Sequence, residues 1–424
     1  MRSDFFRTSI FILVVSNLAN IFSYLFQFSM GRLLSVNHFG ILSVLNSYSL
    51  MFGVVLGILS YLTTTIVIKY KYSRDLNYND KADKIFVFLF KSCLIFVFLT
   101  FVLFYLFSSV IMNYMMIEDE LSFSLLLIYL LSDSVMGVCL GYLQGIQKFH
   151  NVSVKRATSA FFRLIFAIIF VMYFQGSYNS ALLAAFLGNA IVIIWFLYEC
   201  RVLFYNNKSK VTPNDKQELF EELRKSVAPT SCALILVAIM SNYDIVLANR
   251  YLSKDELGFY SVASIVGKIA IFAPGVLLPI FFPFEMKNYS EGKYSFKPML
   301  LTLLLTIVIN SLFCLGVYLF SDEVITLLFG SKYIQTSKIL LIVSIAMSLI
   351  AILNIMLNFF LATKRNFMIY ILFLFSPLIF VISTHFNISN IYNMAHYFAW
   401  SCSIMIALSI FCFLTVSLGK MLNE

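Results

Sequence analysis

The sequence predicts an all-α, polytopic membrane protein with about twelve transmembrane helices. Of its 424 residues, 61% are hydrophobic and only 12% are charged, whereas soluble globular proteins carry about 25% charged residues. Apolar segments of about 18 residues or more, each long enough to cross a bilayer, recur along the whole chain. An outer-membrane barrel is excluded, because it would show short segments of alternating hydrophobicity instead.

Hydropathy places the first span after two arginines near the start of the chain. The apolar run from Ser9 to Met30 is too long for the core of a signal peptide, and no small-residue cleavage site follows it. We therefore expect it to be retained as a span. The twelve predicted spans cover residues 9–30, 41–68, 85–112, 121–145, 154–174, 180–204, 226–250, 260–284, 298–320, 335–361, 366–385 and 393–418.

The distribution of Lys and Arg predicts which ends of the spans are cytoplasmic. Of the 30 basic residues, 22 lie at the two termini and in the connections that follow even-numbered spans, whereas the alternate connections hold five. Both termini are therefore predicted to face the cytoplasm. The net charge of +9 reflects this topology and does not indicate a nucleic-acid partner.

A short motif occurs twice, at an offset of 218 residues. Its copies are GRLLSVNHFGILSV (31–44) and NRYLSKDELGFYSV (249–262). Because six crossings separate them, the two halves have the same orientation, as in transporters built from parallel repeats. We expect a six-helix bundle in 1–204, a cytoplasmic linker with a short amphipathic helix in 205–225, and a second six-helix bundle in 226–424, with a central cavity and alternating access.

The repeated motif aligns Arg32 with Arg250 and Gly40 with Gly258. Glycine permits a tight turn between antiparallel helices, so a turn is predicted at both glycines. Each arginine ends its span, where a guanidinium group reaches the membrane interface. Two interpretations of the arginines remain open: they anchor the span ends, or they face the cavity and bind an anion.

Five ionisable side chains lie inside predicted spans, where a charge is costly and usually faces a cavity or a partner. Asp244 and Lys268 lie about 9 and 12 Å below the same ends of consecutive spans, at about 1.5 Å per helical residue. These two side chains are therefore placed to pair. The full set is Lys91, Asp133, Arg163, Asp244 and Lys268.

Polar side chains also share faces of the first, fourth and fifth spans. Asn17, Asn20 and Gln27 lie on one face of the first span, and Arg156 and Arg163 lie on one face of the fifth. A single such residue is equally compatible with hydrogen bonding between helices or with small-residue packing. The three stripes together predict a hydrated cavity with cationic and amide-bearing walls.

The eighth span contains Pro274, Gly275, Pro279 and Pro283. Proline removes a helical hydrogen bond and leaves a carbonyl group that a cavity or a neighbour must satisfy. The pair Pro274–Gly275 is therefore predicted to kink the helix. The kink serves either as a gate or hinge beside the cavity or as a fixed packing feature.

Neither the seven cysteines nor the four histidines show the spacing of a metal site or a redox motif. The cysteines are scattered within spans or at their ends, where buried thiols are usually inert. We predict no metal and no cofactor.

In these features the sequence resembles the bacterial polysaccharide-export flippases. The resemblance covers essentially the whole chain and is carried by the twelve spans in two parallel halves. It also includes the segments GRLLSVNHFGILSVLNSY (31–48) and RYLSKDELGFYSVAS (250–264) and the proline-rich eighth span. That family moves undecaprenyl-diphosphate-linked O-antigen or capsule repeat units from the inner to the outer leaflet. It belongs to the multidrug/oligosaccharidyl-lipid/polysaccharide exporter superfamily.

The resemblance implies a carrier in the bacterial inner membrane that breaks no bond, is not an enzyme and works beside polysaccharide polymerase machinery. A diphosphate requires Arg or Lys, and sugar hydroxyls suit amides. Asp133 and Asp244 are the candidates for coupling to H⁺ or Na⁺, unless each only neutralises a nearby base. The implied diphosphate-binding residues are Arg32, Lys91, Arg163, Arg250 and Lys268, and the implied sugar-binding residues are Asn17, Asn20, Gln27 and Asn242.

Two other functions compete with this interpretation. A cation-coupled multidrug antiporter of the same superfamily would need acidic groups for cationic drugs, whereas three embedded bases stand against two embedded acids here. A membrane polysaccharide polymerase would present a large outer loop with polar catalytic residues. The predicted outer connections are short, which argues against the polymerase.

Overall fold

The structure is a computed structural model that describes residues 2–71, 78–174, 177–206, 217, 219–221, 227–291 and 296–421. These residues are overwhelmingly helical and include no strand. The helices of the first half are α1 (Arg2–Leu33), α2 (Val36–Leu56), α3 (Ile58–Lys71), α4 (Tyr78–Leu106), α5 (Ser108–Met115), α6 (Glu120–Gly145), α7 (Phe149–Tyr173), α8 (Tyr178–Glu199) and α9 (Arg201–Asn206). Those of the second half are α10 (Ala228–Met240), α11 (Tyr243–Tyr251), α12 (Lys254–Gly267), α13 (Ile269–Gly275), α14 (Leu278–Ser290), α15 (Lys297–Leu328), a 3₁₀ turn (Ser331–Thr336), α16 (Ser337–Ala362), α17 (Asn366–Ser383) and α18 (Ile391–Met421).

The predicted fold class is confirmed. Within the described residues, 11 helical segments are long and apolar enough to cross a membrane, and each coincides with a predicted span to within a few residues at most ends. The remaining predicted span is α1, a helix of 32 residues. The chain is thus a multi-pass membrane protein with about twelve transmembrane helices.

The chain folds into two compact units. The first comprises residues 1–35 and 52–228, and the second comprises residues 36–51 and 229–424. The second unit therefore includes the N-terminal part of α2 in addition to the helices from α10 onward. In the first unit, α7 packs between α1 and α8, and α6 packs against α3, α4 and α8. In the second unit, α16 is the central helix and contacts each helix from α12 to α18.

Glycines at four-residue intervals on α6 let this helix approach α3 closely. Ser60 and Thr64 of α3 donate hydrogen bonds of 2.6 and 3.1 Å to the carbonyl oxygens of Gly137 and Gly141. A Cβ atom on Gly141 would lie 2.6 Å from the carbonyl oxygen of Ser60. The two backbones are therefore in contact, and a side chain at this glycine requires the helices to separate.

The repeated glycines have a role other than the predicted one. The turns lie earlier, before Val36 and before Lys254, and Gly40 and Gly258 are inside helices α2 and α12. The prediction of a tight turn at these glycines is therefore wrong. A Cβ atom on Gly40 would lie 2.9 Å from the backbone nitrogen of Gly258, and one on Gly258 would lie 2.3 Å from the carbonyl oxygen of Val36. The two copies of the motif thus pack against each other at their glycines, within the second unit.

The turn itself is formed by capping groups. Arg32 and Arg250 lie in the last turns of α1 and α11, where the helix dipole favours a positive charge. Ser253 then caps α12 and forms a capping box with Glu256, which satisfies backbone donors of the first helical turn. The arginine therefore marks where a helix ends, and the serine marks where the next one starts.

Most of the predicted linker at 205–225 lies outside the described residues. Gln217 and residues 219–221 are helical. Leu219 is buried in an apolar cluster with Leu62 and Ile66 of α3 and Ile85 of α4. This part of the linker therefore belongs to the packed core of the first unit.

We expect Gly141→Ala to lower the free energy of unfolding by about 1–3 kcal/mol, because the added methyl group overpacks the contact between α6 and α3. Thermal or denaturant unfolding of the purified protein in detergent measures the change. The matched control is Gly316→Ala on α15, where a Cβ atom would meet nothing within 4 Å and the gain in helix propensity stabilises by about 0.5–1 kcal/mol. Equal effects of the two substitutions would contradict a close approach at Gly141.

Candidate functional site

A buried amide connects three helices of the first unit. Asn189 of α8 is only 3% exposed, and its Oδ1 atom accepts a hydrogen bond of 2.8 Å from Ser159 of α7. Its Nδ2 atom donates to Ser132 Oγ at 3.3 Å and to Asp133 Oδ1 at 3.4 Å, both on α6. The amide thereby fixes the position of the Asp133 carboxylate within the bundle.

Two guanidinium groups act on this one carboxylate. Arg163 lies with its guanidinium carbon 3.9 Å from the centre of the Phe26 ring of α1 and 5.8 Å from that of Tyr129, distances at which a cation is attracted to an aromatic face. Arg163 and Arg156 both interact electrostatically with Asp133. The two guanidinium groups and the carboxylate thus form one mixed-charge cluster inside the first unit.

Two interruptions occur in consecutive spans of the second unit. The first, at Ser241–Asn242, separates α10 from α11, and the second, at Lys268, separates α12 from α13. Lys268 Nζ donates a hydrogen bond of 2.8 Å to Asn242 Oδ1, so the side chains at the two interruptions are joined. Asn242 is 3% exposed, and its Nδ2 atom donates to the carbonyl oxygen of Ala238 at 2.8 Å.

Asp244 lies two residues after the first interruption and is completely buried. Its Oδ2 atom accepts a hydrogen bond of 2.7 Å from Ser264, whereas its Oδ1 atom is buried without a hydrogen-bond partner among the described residues. Lys268 interacts with Asp244 electrostatically. The predicted proximity of these two charges is therefore observed, but each makes its hydrogen bond to a separate neutral partner instead of forming a direct ion pair.

The other predicted site residues differ in burial. Gln27 of α1 is half-buried, and its Oε1 atom has no hydrogen-bond partner in the part of the chain that is described. The predicted interruption of the eighth span is present, because α13 ends at Gly275 and α14 begins at Leu278. The exposed predicted residues are Asn17, Asn20, Arg32, Lys91 and Arg250.

Sequence reasoning missed two polar contacts in the first unit. Asn189 was not among the candidates, although a lone amide in the apolar segment GNAIVIIW is a visible polar residue within a span. Lys155, expected only as a topology residue, forms an ion pair of 2.8 Å with Glu199 and lies 3.9 Å from the centre of the Trp195 ring. Glu199 lies 44 residues later in the sequence, at the end of α8, whereas Lys155 lies near the start of α7. The spacing of residues within one helix therefore gives no indication of the pair.

No three His, Cys, Asp or Glu side chains come together as a metal-binding group within the described residues.

The family of the chain follows from its sequence. Residues 6–285 match the family described as polysaccharide biosynthesis protein, which is more than half of the chain. The chain belongs to this family. Comparison with curated proteins gives no match.

Solved structures share the fold over nearly the whole chain. An inward-facing multidrug resistance MATE transporter of the MOP superfamily aligns with a TM-score of 0.77 and 12% identity, over 98% of this chain and 99% of the other. The lipid II flippase MurJ in an inward closed conformation aligns with a TM-score of 0.72 and 15% identity, over 95% and 87%. A MOP superfamily transporter from Pyrococcus furiosus aligns with a TM-score of 0.62 and 13% identity, over 96% and 93%.

Because these structures are only 12–15% identical to the chain, the similarity establishes its fold alone. Together with the family match it confirms the resemblance predicted from the sequence. The protein is a multi-pass membrane protein of the polysaccharide biosynthesis protein family, and its fold is similar to that of a MOP superfamily transporter and of a lipid II flippase.

We expect Asn189→Leu to lower the free energy of unfolding by about 1–3 kcal/mol. Leucine has the same branched skeleton as asparagine, but it leaves the buried Ser159 hydroxyl and the Asp133 carboxylate without their amide partner. Unfolding in detergent measures the loss. Asn113→Leu, at an exposed position of α5, serves as the control and should change stability by less than about 0.5 kcal/mol. Equal stability of the two variants would show that the amide does not hold the three helices together.

Proposed function

We propose that this protein moves an undecaprenyl-diphosphate-linked oligosaccharide, an O-antigen or capsule repeat unit, from the inner to the outer leaflet of the bacterial inner membrane. Three findings support the proposal: membership of the polysaccharide biosynthesis protein family, a fold similar to that of a lipid II flippase, and cationic groups within spans. The process is binding and reorientation, and no covalent bond changes.

The proposal rests mainly on one cluster, which consists of Arg163, Arg156 and Asp133. Taking an arginine into the centre of a bilayer costs about 2.5–3.5 kcal/mol on insertion scales, so one is retained where it has a partner. Both guanidinium groups act on Asp133, and guanidinium matches the oxygens of a diphosphate in pairs.

The remaining predicted residues are assigned by their positions. Lys268 is a further cation inside a span, and its ammonium group donates to the neutral Asn242. Arg32, Lys91 and Arg250 are exposed and are proposed to meet the diphosphate as it enters and leaves. The proposed sugar-binding residues are Asn17, Asn20, Gln27 and Asn242.

Transport is proposed to proceed by alternating access coupled to H⁺ or Na⁺. Asp244 is the first candidate for the coupling group because one of its oxygens is buried without a hydrogen bond from any described residue, and Asp133 is the second. The break after Pro274–Gly275 is proposed as the hinge of a gate. Both termini are proposed to face the cytoplasm, as the distribution of Lys and Arg predicts, and the protein is proposed to act beside polysaccharide polymerase machinery.

A cation-coupled multidrug antiporter is the alternative within the same fold. Such a protein holds a positively charged drug against a carboxylate. Here Asp133 is already opposed by two arginines, and Asp244 by Lys268. The charges of these clusters therefore favour an anionic substrate. A membrane polysaccharide polymerase is disfavoured, because the predicted outer connections are too short to form a catalytic domain.

We expect Arg163→Gln to slow the flipping of labelled lipid-linked oligosaccharide in proteoliposomes by about tenfold or more. The lost charge-assisted hydrogen bonds are worth about 1.5–3 kcal/mol. Arg201→Gln is the matched control, because Arg201 also lies over an aromatic ring, that of Tyr198 at 4.7 Å, but is exposed at the end of a span. Its flipping rate should equal that of the unaltered protein.

Deletion of the gene tests the substrate in cells. Lipid-linked repeat units are expected to accumulate on the inner leaflet while polymerised surface polysaccharide is lost. Normal exposure of the repeat units at the outer leaflet in the deletion strain would refute the flippase assignment, and normal flipping by the Arg163→Gln protein would remove the diphosphate role of that residue.

A further inference from the structure

The buried face of α15 is polar, although the rest of this helix is apolar. Thr306 and Asn310 are 0% and 4% exposed, and they lie one helical turn apart on the face that also includes Thr302. The neighbouring exposed positions are apolar, namely Leu304, Leu305, Ile307 and Val308. A spanning helix turns polar side chains away from lipid because they need a partner that lipid does not supply.

Two of these polar side chains have no hydrogen-bond partner among the described residues. They are Asn310, through both atoms of its amide, and Thr306, through its hydroxyl group. Thr302 behaves differently, because it donates to the carbonyl oxygen of Pro298 on its own helix at 2.8 Å, as threonines inside helices commonly do. The Thr306 hydroxyl does not use the equivalent local partner, so it is available to a ligand beside the helix.

The helices that cover these two side chains include a break in the eighth span. Within the second unit, α15 packs on α16, α13 and α14, and α13 and α14 are separated at residues 276–277. Asn310 lies thirteen residues after the start of α15, and Leu277 lies thirteen residues before the end of α14. Because consecutive spans are antiparallel, both lie about 20 Å from the connection between them, at about 1.5 Å per helical residue. The amide is therefore level with the break.

The break has backbone acceptors that need a donor. Pro274 and Pro279 have no N–H group, so the carbonyl oxygens of Ala270 and Gly275 lose their usual helical donor. A Cβ atom on Gly275 would meet no other heavy atom within 4 Å, so there is space beside the break. A ligand that both donates and accepts hydrogen bonds would satisfy the carbonyl groups of the break and the side chains of α15 together.

We infer that Thr306 and Asn310 form a bound-water site beside the break in the eighth span, and that this water lets the break bend. Side chains one helical turn apart are separated by roughly 5–6 Å, a distance that one water molecule bridges with two hydrogen bonds of about 2.8 Å. Buried water typically makes about three hydrogen bonds. The hydroxyl group, the amide and a carbonyl group of the break supply three neutral partners.

The bending role rests on the proposed function, which makes Pro274–Gly275 the hinge of a gate. When the span bends, the distance from its carbonyl groups to α15 changes. A direct bond between a carbonyl group and a side chain would break, whereas a water molecule moves and keeps its partners. The water site thereby allows the hinge to bend without leaving buried groups unpaired in a region that has no bulk water.

The site is tested by X-ray hydroxyl-radical labelling of the full-length protein in lipid nanodiscs, without substrate, and mass spectrometry. Radicals formed from bound water label nearby side chains that bulk water does not reach. The reporter is Ile355→Met on α16, at a position that is 2% exposed. Cys314 Sγ lies 3.8 Å from Ser348 Oγ, and two further turns along each antiparallel helix bring residue 355 level with Thr306.

The matched control is a native methionine in a fully bonded surrounding. Met405 of α18 is 1% exposed, and the hydroxyl groups one turn to either side, those of Ser401 and Ser409, both donate hydrogen bonds. We expect the reporter methionine to be labelled several-fold faster than Met405. Equal labelling rates of the two methionines would overturn the water site.

Substitutions of the polar side chains locate the water. In the reporter protein, Thr306→Val and Asn310→Leu should each lower labelling of the reporter to the rate of Met405. Thr302→Val should leave it unchanged, because the Thr302 hydroxyl is bonded within its own helix. Thr306→Val removes only a hydroxyl group and decides the question even if Asn310→Leu fails to fold. Labelling that requires Na⁺ and is lost when choline replaces it would assign the site to a cation and overturn the inference.

A transport assay tests the bending role separately. Asn310→Leu should slow the flipping of labelled lipid-linked oligosaccharide in proteoliposomes several-fold, while its affinity for farnesyl diphosphate stays unchanged. Loss of labelling with an unchanged flipping rate would overturn the role of the water in bending. Failure of the unaltered, folded protein to flip the substrate counts against the proposed function, whereas the labelling experiment still decides whether water is bound.

Discussion

The bilayer offers no water to a charged or hydrogen-bonding side chain, and this constraint governs the polar chemistry of the protein. Each buried polar group must find its partner in the protein or in a ligand. Asn189 satisfies the constraint fully, since both ends of its amide are bonded. Asp244 satisfies it only in part, because one oxygen accepts from Ser264 and the other has no partner among the described residues. A group that is satisfied holds helices together, whereas one that is not is poised to bind a ligand.

The number and positions of the spans could be predicted from sequence because hydropathy measures the same transfer energy that drives insertion. The embedded charges could be found for the same reason. Their partners could not, because they depend on which helix faces lie together. Counting residues places Lys268 and Asp244 at similar depths. The hydrogen bond from Lys268 to Asn242, however, depends on helix breaks at these two residues, and hydropathy does not reveal such breaks. Likewise Asn189 acquires its role only when α6, α7 and α8 converge.

The repeated motif shows how a correct observation led to an incorrect local interpretation. Glycine both permits turns and allows close helix packing, and the spacing of Gly40 from Arg32 is compatible with either. The structure selects packing, because Gly40 and Gly258 contact each other through backbone atoms. This mutual contact also explains why both copies carry the glycine, since a side chain at either position would push the same two helices apart. The turn is instead specified by capping, as Ser253 and Glu256 illustrate.

The internal repeat includes the packing glycines but not the embedded charges. At the 218-residue offset Asp133 falls on Ala351 and Arg163 on Val381, whereas Asp244 falls on Phe26 and Lys268 on Leu50. The two units therefore have different electrostatic characters on a related framework. In the first unit, two guanidinium groups act on the Asp133 carboxylate. The second is balanced only while Lys268 compensates Asp244. The embedded charges thus differ between the two halves of the chain, whereas the packing glycine occurs in both.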